Sequence, residues 1–180
     1  MKRLLILFCL IAFYKTDAQI LTGASAKFND SFVEWEILTD DDNTEGSLTM
    51  TWQQPDDWTQ WSYRVGEKTG NIKTKWLKDP SLWELRGENK IIAMQQVWSN
   101  DPRFWRITDN TVSMELKSRF GLNFQEWNVD EGKRGKISIF MEYSNDPRDW
   151  VIEDELDESI TFPMKMAIVF LVIYNSVPKT

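Results

Sequence analysis

Residues 76–105 read WLKDPSLWELRGENKIIAMQQVWSNDPRFW, and this stretch contains one pattern twice. Trp76 is followed by Asp79-Pro80 and then Trp83; Trp98 is followed by Asp101-Pro102 and then Trp105. Between the two copies lie Trp83-x-Leu85, a Gly87-Glu88-Asn89 loop and the alternating run Ile92-x-Met94. Alternation at spacing two, with Glu84 and Arg86 on the other parity, is the pattern of a half-buried β-strand. Proline cannot donate to a strand ladder, and aspartate bonds readily to the backbone that follows it, so the Asp-Pro step reads as a turn.

The same pattern extends in both directions. Trp83, Trp105, Trp127 and Trp150 follow one another at 22, 22 and 23 residues, each with an aromatic seven positions earlier: Trp76, Trp98, Phe120 and Tyr143. Toward the N-terminus, Trp35 and Trp58 are 23 apart, and Trp61 stands 22 before Trp83. With Trp58 as the marker, Trp52 is the upstream aromatic and Gln54-Pro55 takes the place of the Asp-Pro step. Asp146-Pro147 fits the step, whereas Asn123-Phe124 departs from it. A fixed period of this length marks a repeated supersecondary unit.

Apolar rows at Leu48/Met50/Trp52, Ile72/Thr74/Trp76, Val112/Met114/Leu116/Phe120 and Ile137/Ile139/Met141/Tyr143 supply further strands. Asp109-Asn110 reads as a two-residue hairpin turn; 66–70, 131–135 and 40–46 read as longer loops. The expected fold is mainly β: an antiparallel meander of about six repeated β-hairpins curled into a barrel-like sheet, because one face of every strand is apolar. A β-trefoil is the alternative. One folded domain is expected from about residue 30 to 175, with its hairpins in chain order, within a single Trp-repeat β domain over 19–180.

The last segment, residues 163–174, is apolar on every side apart from Lys165. Such a segment must be buried all round. Thr161 and Pro163 favour a helix that plugs the concave face, while the β-branched residues favour a central strand. Both options stand at this point, with the helix preferred.

Met1-Lys2-Arg3, the apolar run from Leu4 to Phe13 and Thr16-Asp17-Ala18 have the form of a signal peptide over 1–18. The run is too short for a membrane span, which needs about 20 apolar residues. A secreted or periplasmic chain is therefore expected. Cleavage would remove Cys9, three cations and one acid, moving the net charge from −7 to −9. That sign disfavours nucleic acid as a partner.

The chain contains no histidine. The commonest general base and metal ligand, and every Ser-His or Cys-His system, are therefore missing. No cofactor and no metal are expected. Ser176-x-x-Lys179 lies in the last five residues, where catalytic geometry is not held.

The Trp-turn-strand-aromatic-x-x-Asp-Pro-x-x-Trp unit, behind a signal ending in Asp-Ala-Gln, resembles uncharacterised secreted Trp-repeat proteins of Bacteroidota type. That resemblance implies no activity. MORN repeats share the period but depend on glycines, of which this chain has only eight.

Two functional classes remain. The first is a non-enzymatic binding or structural module for a glycan or another extracellular protein. Its marker tryptophans form the core layer, and Trp58 and Trp61 are the candidate ligand-binding residues, expected to be exposed. The second is a carboxylate-based hydrolase acting on glycans, with Asp40–Asp42, Asp56/Asp57 and the Glu153–Glu158 cluster as its acids. The non-enzymatic class is preferred.

Overall fold

A computed structural model of the chain describes residues 19–51, 57–77 and 79–179. The expected signal segment 1–18, Trp52, Gln54-Pro55 and Asp56 lie outside these residues. Twelve strands follow one another in chain order: β1 (Leu21–Phe28), β2 (Ser31–Thr39), β3 (Gly46–Met50), β4 (Gln60–Val65), β5 (Lys68–Thr74) and β6 (Leu82–Gly87), then β7 (Lys90–Gln96), β8 (Phe104–Thr108), β9 (Ser113–Phe120), β10 (Asn123–Asp130), β11 (Lys136–Tyr143) and β12 (Asp146–Asp154). Each pairs antiparallel with its neighbours in sequence, and β1 pairs with β12 to close a barrel. The sheet is a pure meander, which excludes the trefoil. Its first strand starts at Leu21, about ten residues before the expected start, because β1 is needed to close the seam.

Alternation sets the two faces. Leu48, Ile72, Leu85, Ile92, Ile107 and Leu116 point inward and are buried, while Lys73, Arg86, Arg106 and Lys117 point out. A membrane-spanning barrel needs an apolar outward band at this level. This face is charged through its middle.

Twelve strands enclose a lumen wider than strand side chains alone can fill. The space is occupied by α1 (Phe162–Ser176), in which every residue from Phe162 to Ile173 is buried. The strand alternative fails for a physical reason. A strand inside a closed barrel would leave its amides and carbonyls unpaired, whereas a helix satisfies its own. Pro163 sits in the first turn, and Thr161 precedes it with extended dihedrals but no side-chain cap. Phe170 packs edge-on against Trp61 and Trp83 at 5.9 and 4.8 Å, and Tyr174 meets Trp83 at 4.8 Å.

Among the described residues one cation is buried: Lys165, which donates to Asp154 Oδ2 at 2.8 Å inside the barrel floor. The same oxygen accepts the Leu21 amide, and Oδ1 accepts that of Leu156. One carboxylate therefore ties together the first strand, the last strand and the helix. Removing either partner of such a pair strands a buried charge.

Three turns differ from their sequence reading, the first of them the β6–β7 connection, which is only Glu88-Asn89 because Gly87 pairs with Lys90 in the sheet. The β4–β5 connection is only Gly66-Glu67, because Gly70 belongs to β5: a Cβ there would lie 2.2 Å from the Tyr63 ring, which crosses that strand. The β8–β9 turn has four residues, not two. The Asp109 carboxylate accepts the amides of Thr111 and Val112, holding residues 109–112 in one loop.

The fold divides the tryptophans into two populations, and mutation should separate them. Trp105→Ala should lower the unfolding free energy by about 3–5 kcal/mol, the usual cost of truncating a buried tryptophan. Trp98→Ala, at an exposed site, should stay within about 0.5 kcal/mol of the parent. Equilibrium urea denaturation of both variants reads the difference.

Candidate functional site

The repeat unit explains itself at one end of the barrel. There the β1–β2, β3–β4, β5–β6, β7–β8, β9–β10 and β11–β12 connections all turn. In each unit the marker indole Nε1–H donates to the carbonyl three residues earlier. The pairs are Trp35 to Phe32 (2.8 Å), Trp61 to Trp58 (3.0 Å) and Trp83 to Pro80 (2.9 Å), then Trp105 to Pro102 (2.9 Å), Trp127 to Phe124 (3.2 Å) and Trp150 to Pro147 (2.9 Å). This assigns the marker place to Trp61. Trp58 occupies the proline place of the Asp-Pro step, as Phe32 and Phe124 do, and packs on its marker at 5.7 Å. Asn123-Phe124 is thus a regular member of the series.

The residue before the proline place holds the turn open. Asp79 Oδ1 accepts the Ser81 amide at 2.9 Å and its hydroxyl at 2.6 Å. Asp101 accepts the Arg103 amide and Nε at 3.0 and 2.7 Å, and Asp146 accepts the same groups of Arg148 at 3.2 and 2.8 Å. Asp57 and Asn123 accept the amides two residues on in the same way. The Ser81 hydroxyl bond foremost, then the amide bond, draws Asp79 below the usual carboxylate range; the Arg103 and Arg148 guanidiniums do so for Asp101 and Asp146. The aspartate row is turn chemistry.

Upstream of these turns the aromatics emerge. Trp76 and Trp98 are 63% and 65% exposed, and Phe28, Phe120 and Tyr143 are also exposed. Leu77 and Leu122 stand bare in the turns beside them. The Trp76 and Trp98 carbonyls accept the amides of Asp79 and Asp101, so each aromatic opens a four-residue turn. By sequence parity these aromatics continue the inward rows, but they lie one step past the last core layer. Lys27 lies over the Phe28 ring at 5.8 Å and Arg119 over Phe120 at 5.3 Å. Apolar residues placed inside turns, as at Leu77 and Leu122, were the available sequence signal of this exposure.

Trp58 and Trp61, expected to be exposed, are 7% and 1% exposed. The Trp61 ring lies between Trp58 and Phe170, so their expected exposure is corrected: they belong to the core. Several acids of the hydrolase reading are held by hydrogen bonds or an ion pair. Asp41 accepts from Asn43 and Thr44, Asp154 holds Lys165, and Asp157 accepts the amide and hydroxyl of Ser159. Among the described residues, no group of acids is arranged to hold a metal ion. Nor, among them, is any helix long and apolar enough to cross a membrane.

No family model, no curated protein and no solved structure matches this chain. What can be said of its function therefore comes from its own residues.

The rim turns carry a pH dependence of defined sign. Asp79, Asp101 and Asp146 have folded-state pKa values below 3.8, so they contribute stability above that value and lose it as pH falls through their lowered values. Melting temperature should decline on acidification below about pH 4, and Asp101→Asn with Asp146→Asn should flatten that decline. Thermal melts from pH 6 to pH 2 test this.

Proposed function

We propose that this chain is an exported, non-enzymatic binding module. Its helix-filled barrel is a rigid scaffold, and its contact surface is the aromatic-tipped end. Export rests on the signal-like residues 1–18. The observation that carries the binding reading is the segregation of exposed apolar side chains. Among the described residues, Phe28, Trp76, Leu77, Trp98, Phe120, Leu122 and Tyr143 gather at one end, while the other exposed large apolar residues, Ile20, Leu38 and Ile91, lie elsewhere and are each less than half exposed. Exposed apolar surface of this kind marks interaction sites.

Two further features support this reading. The lumen is filled by α1, so ligand uptake into the barrel has no room. The chain also lacks histidine, and Asp41, Asp154 and Asp157, among the acids considered for hydrolysis, are engaged in turns or an ion pair. A glycan, a protein or another component of the cell envelope could meet the exposed rings through their faces.

The test is retention on isolated cell envelopes. The mature protein should sediment with them, and Trp76→Ala/Trp98→Ala/Phe120→Ala should lose most of that retention without a change in melting temperature. Equal retention by the triple variant would overturn the rim as contact surface. Release of reducing sugar ends by the purified protein would replace the binding reading with the hydrolase.

A further inference from the structure

We infer that the aromatic end is a membrane-docking surface, which sits in the interfacial layer of a lipid bilayer while the barrel remains outside it. This rests on the reading of that end as the contact surface and names its partner.

The chemistry of the tips points to a lipid interface. Trp76, Trp98 and Tyr143 are of the amphipathic type that accumulates at headgroup level, and Phe28, Leu77, Phe120 and Leu122 supply bare apolar groups that favour the acyl boundary. Long cationic side chains precede three of the tips: Lys27 before Phe28, Lys75 before Trp76 and Arg119 before Phe120. Their stems can lie along the apolar groups while the charges stay among the headgroups. The tips stand on separate turns around the barrel mouth rather than on one flat face. A fluid layer can receive such scattered points together, whereas a rigid partner would need a matching socket for each.

The distribution of charge over the molecule supports the same occupant. At the aromatic end cations and acids pair with each other, as in Arg103–Asp101, Arg148–Asp146, Arg119–Glu126 and Lys27–Glu34. The opposite end carries the acidic run Asp40–Asp42 with Glu45, and the turn acids Glu67 and Glu88. The acidic excess is therefore greater away from the aromatic tips, although Asp30, Asp79, Glu142 and Asp149 stand near them. An anionic bilayer repels that far end and leaves the aromatic end as the approach, which orients the molecule as well as attaching it.

Vesicles provide the test. The mature protein is mixed with phosphatidylcholine vesicles, with vesicles containing phosphatidylglycerol, and with a soluble cell-wall polysaccharide. Partition is read by sedimentation and by the blue shift of tryptophan emission. The expected result is vesicle binding with a blue shift, reduced at least about tenfold in Trp76→Ala/Trp98→Ala, as loss of two interfacial aromatic anchors implies. Ile91→Ser removes an exposed apolar group away from that end and should leave binding unchanged. Vesicle binding that survives in the double variant overturns both the docking inference and the contact surface. Polysaccharide binding that depends on Trp76 and Trp98, without vesicle binding, overturns the bilayer alone. Absence of binding in every arm overturns the inference.

Discussion

A buried indole must place its N–H on an acceptor, and each of the six marker tryptophans donates to the carbonyl three residues earlier, Trp127 to the Ser176 hydroxyl as well. That bond organises the rest. A tryptophan deep in a β-core brings a large apolar area and one donor that cannot be left without a partner. To reach back three residues, the chain must turn just before the strand starts. The turn in turn calls for a proline or an aromatic ring at the acceptor position and for aspartate, asparagine or serine before it. Six repetitions give six turns at one end of the barrel, and the aromatics upstream of five of them, Phe28, Trp76, Trp98, Phe120 and Tyr143, are carried past the core into solvent. Core and exposed surface are thus two consequences of one local interaction.

The barrel and its helix are mutually required. Twelve strands without a filler would leave a void, and a helix apolar on every side has no stable place except inside such a lumen. Aromatic contacts of Phe170 and Tyr174 with the tryptophan layer join them, and Asp154 adds a polar clasp at the floor. Lys165 is the only charge in an otherwise apolar helix. Its place in the first turn puts it beside the last residue of β12, next to the seam where the sheet closes.

Much of this was legible in the sequence. The 22–23-residue period and the alternation around Leu85, Ile92 and Ile107 were enough to read an antiparallel meander with tryptophans inside. Depth was not legible. Alternation tells which way a side chain points and not where along the barrel axis it lies, so Trp76 and Trp98 read like core residues although they stand beyond it. The register of the second unit was misread because Trp58 and Trp61 both satisfy a 22–23 spacing, and only the indole bond separates marker from step. Gly70 read as loop because glycine signals a turn more often than space for a neighbouring ring. β1 was missed because Ala24, Ser25 and Ala26 are too small for a strong apolar row. The tail was ambiguous because propensity favours a strand there, and the decisive fact, a closed sheet with no edge left to pair, is not local.

The exposed rings stand at the edge of the scaffold, with Phe28, Phe120 and Tyr143 ending β1, β9 and β11 and Trp76 and Trp98 opening the turns after β5 and β7. The claim that joins scaffold and surface is the division of the tryptophans by their indole hydrogen bonds. Hydrogen exchange of the indole N–H groups, followed by NMR, tests that division directly. Trp35, Trp61, Trp83, Trp105, Trp127 and Trp150 should exchange only when the barrel opens, while Trp76 and Trp98 should exchange within the dead time. Rapid exchange at the marker positions, or protection of Trp76 and Trp98 equal to theirs, would contradict the account.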